Sequence, residues 1–146
     1  MSTRLSRPVS GGSQTHAAGI DLHGTLLDRH WRVDEGSLER LTRAIEALRD
    51  HCLFFICSGN DVSFLPNHLT AATMSLFVGY ILETGCIISD GTIEQVLVSP
   101  GDMASIGALE DILRSHRFPE VRYFAPRQAT VSLFTRTADG GNDPAD

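Results

Sequence analysis

The 146-residue chain contains no lysine, and all twelve of its basic residues are arginine. Any mechanism that needs a lysine must therefore obtain it from outside these residues. Eighteen acidic residues bring the net charge to −6, which gives no support to binding of nucleic acid or of an anionic membrane. A charged fraction of 21% beside a hydrophobic fraction of 42% is typical of one globular domain.

Cysteine and long apolar runs are also scarce. The three cysteines, Cys52, Cys57 and Cys86, have no paired metal-ligand spacing, which is typical of reduced core thiols in a cytoplasmic protein. No apolar run approaches the ~20 residues that a membrane span needs. Residues 1–16 lack the hydrophobic centre of a signal peptide. We therefore expect a cytoplasmic protein with no membrane partner.

Short apolar runs alternate with amphipathic stretches in the first two thirds of the chain. The pattern predicts strands over about 17–22 and 53–57, with a helix between them that Asp34 caps. A second helical stretch follows and is interrupted by Pro66. The order strand, helix, strand, helix predicts crossover connections and an α/β fold with a doubly wound parallel sheet.

The pattern changes in the last third of the chain. β-rich runs over 78–98 are followed by a helix and by two predicted strands over 121–125 and 129–135. We expect four segments: a disordered leader over 1–16, the N-terminal half of a core over 17–94, a partial α+β cap over 95–137 and a flexible tail over 138–146.

Residues suited to phosphate chemistry follow the two predicted central strands. Asp21 ends the first run, and the backbone of Gly24 and Thr25 after it can fold around an anion. Ser58 and Gly59 end the second run, where a hydroxyl and an amide can hold phosphate oxygens. Because the carboxyl ends of parallel strands meet at one edge of a sheet, we expect a phosphate crevice with an aspartyl nucleophile.

These motifs resemble those of the haloacid dehalogenase superfamily, whose phosphatases carry Asp-x-Asp-Gly-Thr at the tip of the first strand. The resemblance covers roughly residues 17–136. Residues 56–60 are similar to the second motif of that family. Residues 82–88 are similar to the Glu-Asn-Gly-Ala hairpin of its large-cap subgroup, which includes phosphoglycolate, sucrose-phosphate and mannosyl-phosphoglycerate phosphatases. From that resemblance we expect the chain to be truncated.

The resemblance implies a phosphatase that acts on a small phosphomonoester through an aspartyl-phosphate, with Mg²⁺ as cofactor. It implies that Asp21 is the nucleophile and a metal ligand. It also implies that Gly24, Thr25, Ser58 and Gly59 bind the phosphate.

Arg127 matches a cap arginine that contacts substrate in such a family. The forked donors of an arginine suit a carboxylate or a phosphate. The alternative interpretation is an exposed arginine on a strand.

His23 stands where the family carries its second aspartate, which serves as the general acid and base. An imidazole with an unperturbed pKa near ~6.5 suits proton transfer at neutral pH, so His23 is the candidate acid/base. The family ligates its metal at this position through the backbone carbonyl, which makes His23 a candidate metal ligand too. A drifted position in an inactive site is the alternative. The other histidines, His68 among them, lack ligand spacing and are interpreted as surface or loop residues.

Two further parts of the family site are missing or doubtful. The family's lysine is absent, and its acidic pair has only one match, at 139–143, which we interpret as an acidic tail. Asp21 and one carbonyl leave a magnesium ion poorly held, so we expect weak or absent turnover by this chain alone.

The alternative to a phosphatase is a non-catalytic truncated or split remnant that binds a phosphorylated ligand or a partner chain. Half of a sheet would expose an apolar edge, which favours a homodimer or pairing with a complementary chain.

Overall fold

A computed structural model describes residues 16–135 of the chain. In chain order its elements are β1 (His16–Asp21), α1 (Glu35–Leu48), β2 (Cys52–Cys57), α2 (Phe64–His68), α3 (Ala71–Met74), β3 (Gly79–Leu82), β4 (Ile87–Ser89), β5 (Glu94–Val96), α4 (Pro100–Ser115), β6 (Val121–Ala125) and β7 (Ser132–Thr135). None of the helices in this range is long and apolar enough to cross a membrane. The acidic match at 139–143 and all but the last residue of the predicted leader lie outside the described residues.

A five-stranded sheet in the order β1-β2-β3-β4-β5 forms the core. β1, β2 and β3 run parallel, whereas β4 and β5 pair antiparallel to their neighbours. The crossover between β1 and β2 contains α1, as a parallel pairing requires. β6 and β7 form a separate two-stranded antiparallel sheet. The predicted α/β fold is therefore confirmed, and β1 lies at one edge of the sheet.

The core fills with aliphatic side chains from the strands and from the loop after β1. The apolar side chains that are almost fully buried are Leu22, Leu26, Leu27, Ile56, Leu65, Leu82 and Ile87. Three of these seven belong to the loop after β1, so hydrophobic burial fixes that loop against the sheet.

The helical stretch after β2 differs from the prediction. Pro66 lies inside α2, in its first turn, where a proline is tolerated because its missing N–H would have no acceptor. The break occurs instead at Leu69, which is extended with φ −119° and ψ 141°. Thr70 then starts α3, because its side chain accepts the Thr73 N–H at 3.1 Å.

Glu83 attaches the loop between β6 and β7 to the core sheet. Its carboxylate is fully buried and accepts the backbone N–H groups of Gln128 and Ala129, both at 2.8 Å. It also accepts the Thr130 hydroxyl at 3.1 Å. These bonds hold residues that the sequence pattern assigns to the last strand, and β7 therefore begins only at Ser132.

We predict that Glu83→Gln lowers the free energy of unfolding by about 2–3 kcal/mol, because one buried acceptor becomes an amide group that faces a donor. Glu94→Gln is the matched control, since Glu94 is exposed and accepts the Gln128 side chain at 3.0 Å. That exchange should cost under about 0.5 kcal/mol. Urea denaturation measures both values, and equal costs would contradict a clamping role for Glu83.

Candidate active site

Asp21 and Ser58 end two adjacent parallel strands. Asp21 lies level with Cys57 in the register of β1 and β2, and Ser58 is the residue that follows Cys57. The Asp21 carboxylate is exposed, and its Oδ1 accepts the N–H of Leu22 at 2.8 Å. The structure thus places the predicted nucleophile and the predicted phosphate-binding hydroxyl at the carboxyl ends of neighbouring strands.

A tight turn follows Asp21. Gly24 has φ +73°, a backbone angle that residues other than glycine rarely adopt. Its N–H donates to the Leu27 carbonyl at 2.9 Å. The N–H of Thr25 donates to the Leu22 carbonyl at 3.3 Å. Both amides are therefore engaged within the turn, and they would have to leave these bonds to hold a phosphate. Their assignment as phosphate-binding residues stays a prediction.

His23 belongs to an aromatic cluster, which we define as His23, Trp31, Phe64 and His68. The His23 ring centroid lies 5.8 Å from that of Trp31 and 5.3 Å from that of Phe64. Phe64 stacks on His68 at 3.9 Å, and Trp31 contacts His68 edge-on at 5.4 Å. The sequence analysis does not identify Phe64 or His68 as site residues, because nothing in their local pattern indicates that α2 packs against the loop after β1.

Trp31 reaches this cluster through an unusual backbone conformation. Its φ is +59°, in the left-handed region that bulky residues rarely occupy. The Asp28 carboxylate holds the turn by accepting the N–H groups of His30 and Arg32 at 2.7 and 2.9 Å. The turn therefore keeps the indole beside His23.

Burial in this cluster lowers the pKa of His23 below its ordinary value of 6.5. The Asp21 carboxylate acts in the opposite direction and raises the pKa, and the nearby His68 lowers it. Because the net shift is downward, the imidazole is mainly neutral at neutral pH. A neutral imidazole suits the general-base step better than the general-acid step.

Cys57 packs beneath the site as a thiol. A Cβ added at Gly19 would lie 2.6 Å from the Cys57 Sγ, so only a glycine leaves room for this side chain. Burial raises the pKa of the Cys57 thiol, and the Asp21 carboxylate raises it further. The thiol therefore stays protonated and is not a candidate nucleophile.

The loop after β2 contains the other predicted phosphate-binding residues. Ser58 is 7% exposed, and its N–H donates to the Ile81 carbonyl of β3 at 2.9 Å. The backbone N–H and the side-chain amide of Asn60 both donate to the Ser58 Oγ, at 3.2 and 3.1 Å. Gly59 is exposed, and within residues 16–135 its N–H has no hydrogen-bond acceptor. Binding of phosphate by the Gly59 amide and the Ser58 hydroxyl stays a prediction.

Arg127 lies in the loop between β6 and β7, and its side chain is only 6% exposed. Its Nη2 donates to the Asn60 Oδ1 at 3.1 Å, and its Nη1 donates to the Asp61 Oδ1 at 3.3 Å. The Nη1 also donates to the carbonyl of Pro126 at 2.6 Å. Contact of Arg127 with substrate stays a prediction; here the guanidinium is held by the loop after β2.

The described residues do not complete a magnesium site. Residues 16–135 contain no group of three or more histidine, cysteine, aspartate or glutamate side chains arranged to hold a metal ion. Asp21 offers one carboxylate, whereas Mg²⁺ requires near-octahedral oxygen coordination. Asp21 and His23 remain candidate ligands that need others from water or from outside this range.

Comparison with known proteins agrees with the α/β fold. The model of a family described as haloacid dehalogenase-like hydrolases matches residues 19–128. No curated protein sequence matches the chain. The C-terminal domain of C. albicans trehalose-6-phosphate phosphatase is similar in structure, with a TM-score of 0.63 at 22% identity, and the match covers 91% of this chain and 47% of that one.

Two further solved structures are similar. The haloacid dehalogenase subclass IIB sugar phosphatase BT4131 gives a TM-score of 0.52 at 18% identity over 82% of this chain and 44% of its own. A protein from Eubacterium rectale gives 0.51 at 20% identity over 88% of this chain and 44% of its own. At such low identities these matches show the fold. The chain spans less than half the length of these structures.

We predict that the His23 imidazole titrates below 6.5, because its burial disfavours the charged form. His68→Gln should raise this pKa because His68 lowers it, and Asp21→Asn should lower it because the Asp21 carboxylate raises it. The pH dependence of the imidazole NMR resonances measures all three values. A His23 that titrates above 6.5, or the opposite order of the two variants, would contradict the described environment.

Proposed function

The chain belongs to the haloacid dehalogenase-like hydrolases, and on that basis we propose that it transfers a phosphoryl group from a small phosphomonoester to Asp21. The observation that carries the proposal is the meeting of Asp21 and Ser58 at adjacent strand tips. We also propose that turnover by these 146 residues alone is weak or absent.

The proposed reaction has two steps. A carboxylate oxygen of Asp21 attacks phosphorus, an aspartyl-phosphate forms, and the ester oxygen leaves with a proton from His23. Water then attacks the aspartyl-phosphate, and His23 takes a proton from that water as phosphate is released. The Ser58 hydroxyl and the Gly59 amide would stabilise the phosphoryl oxygens through hydrogen bonds. The lowered pKa of His23 favours the second step over the first.

Charge neutralisation is the weak part of this site. Phosphoryl transfer is catalysed mainly by positioning and by neutralising charge. The chain contains no lysine, and the positive charge of Arg127 faces Asp61. Members of the family generally use Mg²⁺, and Asp21 supplies only one of the ligands that such an ion needs. These features support low activity.

We also propose the division of the chain into core and cap segments and a cytoplasmic location. The separation of the β6–β7 sheet from the core sheet supports residues 95–137 as part of a cap and 17–94 as half of a core. The free thiols of the described cysteines support a reducing, cytoplasmic environment.

Among the described residues no strand pairs with the outer side of β1, and this open edge supports a second candidate function, binding of a complementary chain. The His16 N–H donates at 2.8 Å to the carbonyl of His51, the residue that precedes β2. Alternate residues of a parallel strand bond to the same neighbour, so the backbone groups of Ala17, Gly19 and Asp21 face the open side. A strand from a complementary chain would pair there, beside the nucleophile, and would bring the lysine and acidic pair. A homodimer through the same edge is the other arrangement.

Phosphate release from a generic aryl phosphate in the presence of Mg²⁺ tests the first candidate. We predict slow release that Asp21→Asn abolishes and that Asp50→Asn, the same change at an exposed residue outside the site, leaves intact. A folded parent chain no faster than Asp21→Asn would reject catalysis by this chain alone and favour the second candidate.

Co-expression with a polypeptide from the adjacent reading frame that carries a lysine and paired acidic residues tests the second candidate. We predict co-purification and faster phosphate release, both reduced at least tenfold by Ala17→Pro, because proline removes a donor on the open edge. Ala17→Ser keeps that N–H and serves as the matched control. Association that tolerates Ala17→Pro would place the interface elsewhere.

A further inference from the structure

A chain of hydrogen bonds connects the β6–β7 loop to the candidate phosphate-binding hydroxyl. Arg127 Nη2 donates to the Asn60 Oδ1 at 3.1 Å, and Asn60 Nδ2 donates to the Ser58 Oγ at 3.1 Å. We call these three residues the Arg127–Asn60–Ser58 relay.

The relay occupies the Ser58 hydroxyl as an acceptor and leaves only its proton to form a further hydrogen bond. A serine hydroxyl has one proton to donate and two lone pairs to accept hydrogen bonds. Both lone pairs of Ser58 are occupied, because the Asn60 N–H and the Asn60 side-chain amide donate to the Oγ at 3.2 and 3.1 Å. Within residues 16–135 the Ser58 hydroxyl donates to no acceptor. Its proton is therefore available to an anion beside Asp21.

Arg127 determines which way the Asn60 amide points. A guanidinium only donates hydrogen bonds, so it must face the Asn60 oxygen. The Asn60 nitrogen then faces Ser58 and can only donate to it. In the flipped orientation the Asn60 oxygen would accept the Ser58 proton, and the hydroxyl would be lost as a donor to phosphate.

The guanidinium is itself held in place. Arg127 Nη1 contacts the Asp61 carboxylate at 3.3 Å and the Pro126 carbonyl at 2.6 Å, and the side chain is 6% exposed. The neighbouring Gln128 N–H is held by the buried Glu83 carboxylate at 2.8 Å. The position of the loop is thus set independently of Asn60.

We propose that Arg127 is a positioning residue, which orients Asn60 so that Ser58 can only donate its proton to a bound phosphate. The proposal rests on the proposed function, because the anion is the phosphoryl group that Asp21 would attack. Arg127 acts here through the relay, at a distance from the substrate.

A double-mutant cycle with inorganic phosphate as the probe tests the relay. Ser58→Ala and Arg127→Met should each weaken phosphate binding by about tenfold, the typical effect of one hydrogen bond to a charged group. The double variant should bind no more weakly than Ser58→Ala, because Arg127 acts only through that hydroxyl. NMR titration of the Ser58 and Gly59 amides measures each affinity. Arg43→Met, at an exposed ion pair on α1, is the matched control.

Full additivity in the cycle, or unchanged binding in Arg127→Met, would overturn the relay. A variant that keeps the Arg127 bond provides a second test if Arg127→Met does not fold. Asn60→Asp retains that bond but accepts the Ser58 proton, so phosphate binding should fall about tenfold or more. Asn67→Asp adds the same charge on an exposed residue and controls for repulsion.

Hydrogen exchange separates failure of the relay from failure of the proposed function. The side-chain amide protons of Asn60 should exchange slowly in the parent chain and at least tenfold faster in Arg127→Met. A parent chain that binds no phosphate would contradict the proposed function and the proposal that Ser58 donates its proton to phosphate. Unchanged exchange would show that Arg127 does not orient Asn60, whatever binds nearby.

Discussion

Parallel pairing of β1 with β2 is the constraint on which the candidate site depends. The register sets Asp21 level with Cys57, so that the carboxylate and the Ser58 hydroxyl end neighbouring strands at one edge. A slip of one residue would turn every side chain of β1 to the opposite face of the sheet. Gly19 supports the observed register, because it alone leaves space for the Cys57 Sγ. The geometry of the nucleophile is therefore a consequence of how two strands pack.

Two buried side chains, Glu83 and Arg127, connect the β6–β7 loop to the core. Glu83 reaches from the end of β3 to the backbone of the β6–β7 loop, and Arg127 reaches from that loop to Asn60 and Asp61. Buried polar groups need hydrogen bonds, and each of these two side chains makes three, although the Arg127 Nε is buried without a hydrogen-bond partner among the described residues. The hairpin loop and the loop after β2 are thereby coupled, so that disturbing one disturbs the other.

The electrostatics of the candidate site support the proposal that turnover is weak. The two groups proposed to bind the phosphate, the Ser58 hydroxyl and the Gly59 amide, are neutral. Hydrogen bonds from neutral donors are about half as strong as those from charged donors. The His23 imidazole is mainly uncharged in its aromatic cluster, and the charge of Arg127 faces Asp61. Such a site would neutralise the charge of a bound phosphate poorly.

Much of this architecture could be predicted from local patterns. The apolar run of β2, the Asp34 cap of α1 and the acidic end of β1 are short-range features, and each is confirmed where it was expected. Proline at position 66 misled the prediction, because its effect depends on whether it falls in the first turn of a helix or later. The α/β fold followed from the order of these elements.

Local sequence patterns alone therefore identify most of the elements, their order and the positions of Asp21 at the end of β1 and of Ser58 directly after β2. The surroundings of His23 and the contacts of Arg127 depend on tertiary packing. His23 and Phe64 are in contact although they are far apart in sequence, and so are Arg127 and Asn60. The physical reason is that hydrophobic periodicity and capping act over a few residues, whereas burial and charge pairing depend on which distant segments the fold brings together.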